Sequence, residues 1–302
     1  MLSVPDKAKP YGWFALKLLT LIIAGWLVYR TLSPISAKSW SELTQNFAHT
    51  GLWTLTLLCV LSLTNWTLEI IKWQMAIKPI VAINLTRAAC ETLLAYSTGF
   101  ITPLKLGEYA IKTRLYSPIQ KNKIIFSHFF CHFSQLICTI IFGLIGLINF
   151  DSSSKFFHFS LGWLVFIAGL SLLGLMLYSR YKKQLKSEHQ LPLRTFMTIV
   201  FLSTLRFVVF SSMMVLGLNI MGSPLIWTQA IFGIWTMYLI QVVAPTFSML
   251  DIVVKSGSAT VVFQEIIPAQ IIIGAVLLQY ILSQVLPLII GLTLKPTNGQ
   301  NL

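Results

Sequence analysis

The sequence predicts an all-helical, polytopic integral membrane protein, and three observations carry that prediction. Of 302 residues, 56% are hydrophobic and only 10% charged. The mean hydropathy is +0.77, which is more apolar surface than a soluble chain of this length can bury. Apolar runs of about 20 residues, the length that crosses a hydrocarbon core, recur along the chain. The third observation is charge placement: the basic residues gather at the ends of those runs, as the positive-inside bias and anionic lipid require.

The formal charge of +13, from 22 Lys and Arg against 9 Asp and Glu, would suggest nucleic acid if its distribution were ignored. That distribution makes a nucleic-acid partner unexpected. Asp6, Lys7 and Lys9 precede an apolar run that reaches Tyr29 without a small-residue cleavage site, so an uncleaved first span over 12–31 is expected. Further full crossings are expected over 51–77, 123–149, 159–179, 195–221 and 267–294. Cys59, Cys90, Cys131 and Cys138 show no redox or metal spacing and read as packing residues.

Two apolar regions between these spans, about 86–118 and 226–265, are interrupted by proline and carry charge on the far side. Each reads as a hairpin of two short helices that enters the membrane and leaves on the same side; two thin spans apiece, giving about ten crossings, is the alternative. With the N-terminus cytoplasmic, inner segments hold Lys7, Lys9, Lys78, Arg87, Lys121, Lys123, Arg180, Lys182, Lys183, Lys186, Arg194 and Lys295. Outer ones hold little beyond Arg30, Lys38 and Lys155. Both termini are therefore expected in the cytoplasm, in a plasma (inner) membrane. The two hairpins would then enter from opposite faces, as an inverted repeat within a single transmembrane domain, 1–302.

Each interrupted region carries a proline, then a carboxylate, then a lysine four residues on. Thr102 and Pro103 read as an N-cap and first helical residue, aiming unpaired N–H groups and a positive dipole end inward, where an anion is favoured. Lys105 in that first turn opposes the dipole, so it points to a bound anion or to Glu108. Glu108 and Lys112 stand at i and i+4 on one face, and Arg114 is placed to snorkel. In the second region Pro245 precedes Ser248 and Asp251, spaced as a capping box, and Asp251 and Lys255 repeat the i and i+4 pair. The bland reading of each pair is a structural salt bridge near the interface; their recurrence with matching prolines favours a site.

Arg206 falls near the middle of the 195–221 span, too deep to snorkel. It needs a partner, with Asp251, Glu108 or a lipid phosphate as candidates. Glu69 and Lys72 read as an interfacial bridge, and Glu91 as a carboxylate able to carry protons only if it faces a cavity. His128 and His132, at i and i+4, have the spacing of metal ligands on one helix face, but no third ligand lies nearby in sequence. No metal or other cofactor is therefore expected. No nucleophile motif, phosphate-cradling glycine loop or enzyme-like acid pair is present, so an enzyme is not expected.

The segment Thr102 to Leu115, TPLKLGEYAIKTRL, resembles the P-x-x-x-G-E-x-x-(x)-K/R signature of the lysylphosphatidylglycerol synthase transmembrane family, also called flippase-like domain proteins. Ala244 to Gly257, APTFSMLDIVVKSG, falls where that family has a second proline-rich acidic motif. The resemblance implies re-entrant helices and movement of a charged phospholipid or lipid-linked intermediate between leaflets. Pro103, Gly107, Glu108 and Arg114 would match the first signature, Pro245 and Asp251 the second. There Thr246, Phe247, Ser248 and Met249 replace the family's glycines, and aspartate its glutamate. The chain ends a few residues after Lys295, so the family's soluble aminoacyl-transferase domain, and aminoacylation, are not expected.

The expected function is a flippase holding an anionic headgroup with the first hairpin's helix start, Lys105, Lys112 and Arg206, with Glu108 and Asp251 as counter-ions or proton carriers. An ion gradient or the lipid gradient would drive it. The rivals are a non-transporting scaffold or regulator of envelope lipid or polysaccharide synthesis, with these charges tightly paired, and a membrane-embedded transferase using Glu108 or Asp251 as base. Self-association into a homo-oligomer is left open.

Overall fold

The computed structural model describes residues 36–100, 102, 105–150, 192–242, 251–263 and 265–294, together with Ile22, Trp26 and Tyr29. Helices α1 (Ala37–Ala48), α2 (Leu52–Ile77), α3 (Leu85–Gly99), α4 (Leu106–Arg114) and α5 (Lys121–Asn149) form the first part. The second comprises α6 (Leu193–Ile220), α7 (Trp227–Val242), α8 (Asp251–Phe263), α9 (Ala269–Tyr280) and α10 (Leu286–Thr293), the last two joined by a π-helical turn at Ile281–Val285. No strand occurs among the described residues.

Four helical stretches are long and apolar enough to cross a membrane: Leu52–Ile77, Lys121–Asn149, Leu193–Ile220 and Ala269–Thr293. They match four of the six expected spans. The other two, 12–31 and 159–179, lie outside the described residues apart from Ile22, Trp26 and Tyr29, which are helical. The spanning helices turn large apolar residues outward, among them Leu63, Ile148 and Phe201. A surface of that kind is at home against lipid. Threonine hydroxyls on these helices bond back to the carbonyl four residues earlier, as at Thr56, Thr64 and Thr204, so these hydroxyls are not presented bare to hydrocarbon.

The interrupted regions are two pairs of short helices, α3 with α4 and α7 with α8. At 15, 9, 16 and 13 residues, each falls short of the about 20 residues a crossing needs. Asn84 starts α3 by accepting from the Arg87 N–H at 2.8 Å.

Helices α2 and α6 pack side by side and run antiparallel. Asn46, just ahead of α2, donates to the Met221 carbonyl at the end of α6, 3.1 Å away. At the other end Lys78 and Pro79 share a cleft with Arg194 and Thr195. α5 packs along α7 through Gly143 and Gly146, and α10 meets α3 at Gly291, where an added Cβ would lie 2.3 Å from the Leu93 carbonyl oxygen. Without a hydrophobic drive between helices in lipid, such small-residue contacts let backbones approach and pack. The main core joins α6 to α10 around Met213, Phe263, Ile272 and Tyr280; a second surrounds Trp73, Ile77, Ala88 and Ile124.

The π-helical turn follows from Pro287. Proline has no N–H, so the Ser283 carbonyl four residues earlier loses its helical donor. The indole N–H of Trp66 takes that carbonyl at 3.1 Å. The Leu286 N–H bonds Ile281 rather than Leu282, and the Ser62 hydroxyl takes the freed Leu282 carbonyl at 2.9 Å. Two side chains of α2 thus satisfy the bulge.

Candidate functional site

The turn between α3 and α4 places the first candidates. Helix α4 begins at Leu106, not at Pro103, with Lys105 in the left-handed region at φ 57° as its N-cap residue. Thr102 still caps it, from further back: its hydroxyl oxygen accepts from the Gly107 N–H at 2.7 Å. The start is displaced because α4 docks on the end of α3. Thr98 donates its hydroxyl to the Gly107 carbonyl at 3.1 Å, and a Cβ on Gly107 would lie 2.4 Å from the Thr98 carbonyl oxygen. Only glycine allows that approach. Pro103 lies outside the described residues.

Glu108 leans over Gly99, where an added Cβ would lie 2.3 Å from its Cγ, and is buried. Its Oε2 meets Nε2 of both His128 and His132 at 3.2 Å, and those two nitrogens are themselves 3.2 Å apart. Lys112 does not pair with Glu108 as its spacing suggested. Its ammonium instead reaches His128 Nδ1 at 3.1 Å and sits 3.7 Å above the centre of the Trp73 ring. The long side chain turns to the aromatic face, where cation–π attraction replaces lost hydration. Lys105, the residue before α4, stands three positions ahead of Glu108 in the same turn. Arg114 is exposed at the far end of α4 and does not join the cluster.

The second cluster surrounds Arg206. Its Nη1 meets Glu69 Oε2 at 2.9 Å and its Nε donates to Asn65 Oδ1 at 3.2 Å, while Lys72 Nζ lies 2.6 Å from the same Glu69 oxygen. The partner of Arg206 is therefore Glu69, neither Asp251 nor Glu108, because α2 and not α4 or α8 packs along α6. Glu69 and Lys72 form the expected pair, and Arg206 extends it to a triad in which Lys72 is buried and the other two are partly so.

The third cluster links the two halves. Asp251, the first described residue of α8, pairs with Lys255 at 3.2 Å, and Lys255 Nζ lies 4.5 Å from the Phe210 ring centre. Gln284, aimed by the π-helical turn, donates to Asp251 and accepts from the Tyr96 hydroxyl. Tyr96 thus ties α3 of the first half to Asp251 of the second through Gln284. Pro245 and Ser248 lie outside the described residues.

Four residues were not foreseen as part of the arrangement: Tyr96, Gln284, and His128 and His132 as partners of Glu108. Polar side chains in apolar helices were the available signal. Glu91, by contrast, is held by three donors, Trp73 Nε1 at 2.9 Å, Arg87 Nε at 3.0 Å and Tyr116 at 2.6 Å, and so clamps α2, α3 and the segment after α4 together.

The fold and these clusters define a helical integral membrane protein with ionisable groups from both halves gathered inside it. In comparisons with protein-family models and with curated proteins, the chain matches none.

Proposed function

We propose that this protein moves an anionic phospholipid or lipid-linked intermediate between membrane leaflets. The observation that carries the reading is the set of ionisable groups held between the helices: Glu108 from the first broken pair, Arg206 from a spanning helix, and Asp251 from the second pair, which Gln284 joins to Tyr96 of the first. Ionisable groups within a bilayer are costly and mark pathways of charged substrates. Five cations, Lys72, Lys105, Lys112, Arg206 and Lys255, stand around three carboxylates, Glu69, Glu108 and Asp251, an excess that suits an anionic headgroup.

The arrangement of helices supports alternating access through an inverted repeat. Each half reads long helix, broken pair, long helix: α2, α3 with α4, α5; then α6, α7 with α8, α9 with α10. The two first long helices are antiparallel neighbours, α5 packs on α7, and α10 packs on α3. Contacts that exchange in this way fit two similar units inserted in opposite senses, with both broken pairs re-entrant.

A second reading, a scaffold for envelope lipid or polysaccharide synthesis, draws on how closely the charges pair: Arg206 on Glu69, Asp251 on Lys255 and Gln284. Liposomes carrying labelled anionic lipids separate the two. Transport predicts leaflet exchange that falls about tenfold or more with Arg206→Ala or Glu108→Gln, equivalent to ~1.4 kcal/mol in the barrier. Exchange equal to that of protein-free liposomes, or unaltered by both substitutions, would leave the scaffold.

A further inference from the structure

We infer that Glu108, His128 and His132 form a divalent transition-metal site of the two-histidine, one-carboxylate type. It shares Glu108 with the transport reading but does not rest on it. Glu108 Oε2 and the two Nε2 atoms form a triangle with all three edges 3.2 Å long. With metal–ligand distances of about 2.0–2.2 Å, two ligands are about 3.4 Å apart around a tetrahedral ion and about 3.0 Å apart around an octahedral one. The triangle lies between these values.

Hydrogen bonds cannot account for the whole triangle. An imidazole nitrogen either donates or accepts, never both. A proton on the edge between the histidines makes one ring the donor and the other the acceptor, and the accepting nitrogen then faces the Glu108 carboxylate with no proton between them. Where both rings donate to Glu108, the edge between them holds no proton. A cation in front of the three atoms satisfies every edge at once.

The setting fits. Three protein ligands leave coordination open, and the opening faces the side of His132, whose side chain is 33% exposed against 1% for His128 and 8% for Glu108. One turn further along α5, Gln135 keeps its Oε1 buried without a hydrogen-bond partner. A phosphate oxygen or water is the natural further ligand, and imidazole with carboxylate selects zinc or iron(II) over calcium or magnesium. Ligation through Nε2 requires the His128 ring proton on Nδ1, and the Lys112 ammonium, itself a donor 3.1 Å away, opposes that tautomer. The residue at 112 therefore orients the ring and tunes affinity.

The test uses the purified full-length protein in detergent, stripped with chelator and titrated with Zn2+ and with Co2+. About one equivalent of Zn2+ is expected, with the visible absorption bands of cobalt on nitrogen and oxygen ligands and a rise in melting temperature. His132→Ala and Glu108→Gln should each weaken binding about tenfold to a hundredfold, and Lys112→Gln, whose amide oxygen accepts from Nδ1–H, should tighten it. Wild-type protein that takes up no Zn2+ and shows no cobalt bands, or uptake unchanged in both ligand variants, overturns the site. Because uptake is read without lipid, its failure is distinct from failure of leaflet exchange.

Discussion

At the scale of single residues, the buried charges differ in how completely their neighbours hold them. Glu91 has three donors and serves as a clamp, whereas Glu69 is shared between two cations, Arg206 and Lys72. Removing one member of a buried pair leaves the other without compensation, which costs roughly 3–5 kcal/mol. Arg206 is 24% exposed at its side chain, so Arg206→Met should cost about 2–3 kcal/mol, read as a lower melting temperature in detergent. Glu69→Gln added to Arg206→Met should recover part of that loss, because the stranded carboxylate is gone. A double variant no more stable than the sum of the singles would refute the coupling.

At the scale of elements, the π-helical turn has a sequence cause and a tertiary remedy. Pro287 frees a carbonyl, and α2 supplies Trp66 and Ser62 to take the exposed acceptors. Trp66→Phe keeps an aromatic ring against Tyr96 but leaves the Ser283 carbonyl unpaired, and should cost about 1–3 kcal/mol. Thermal unfolding in detergent gives that value; an unchanged melting temperature would mean that the carbonyl is satisfied elsewhere. The same turn aims Gln284 at Asp251 and Tyr96, so Gln284→Leu should slow leaflet exchange while the melting temperature moves little. Slowed exchange with collapse of the fold would instead make Gln284 a structural strut.

At the scale of the whole molecule, the antiparallel run of α2 and α6 makes a prediction about sidedness. Cysteines at Thr50 and Gly222 in a background lacking the four native thiols should react with an impermeant maleimide from one face of the membrane. Those at Lys78 and Arg194 should react from the other. From the charge bias of the sequence, Lys78 and Arg194 are expected to react from the cytoplasmic face. Reaction of Thr50→Cys and Arg194→Cys from the same face would contradict the packing of these helices.

The sequence determined by itself the four spanning helices and the short paired helices found among the described residues. The expected 51–77 and 195–221 agree closely with Leu52–Ile77 and Leu193–Ile220, and both interrupted regions contain the expected pairs of short helices. Hydropathy, proline and glycine act over one or two turns, so a linear reading captures them. The pairing of charges was decided only by tertiary structure. Glu108 and Lys112 have the spacing of an ion pair, yet Trp73 and His128 draw the lysine away. Arg206 finds Glu69 because α2 lies along α6, and the histidine pair acquires its carboxylate from another helix. Spacing fixes which side chains share a face, but desolvated charges settle on the partners that helix packing brings within 3 or 4 Å, and that packing is written across distant segments.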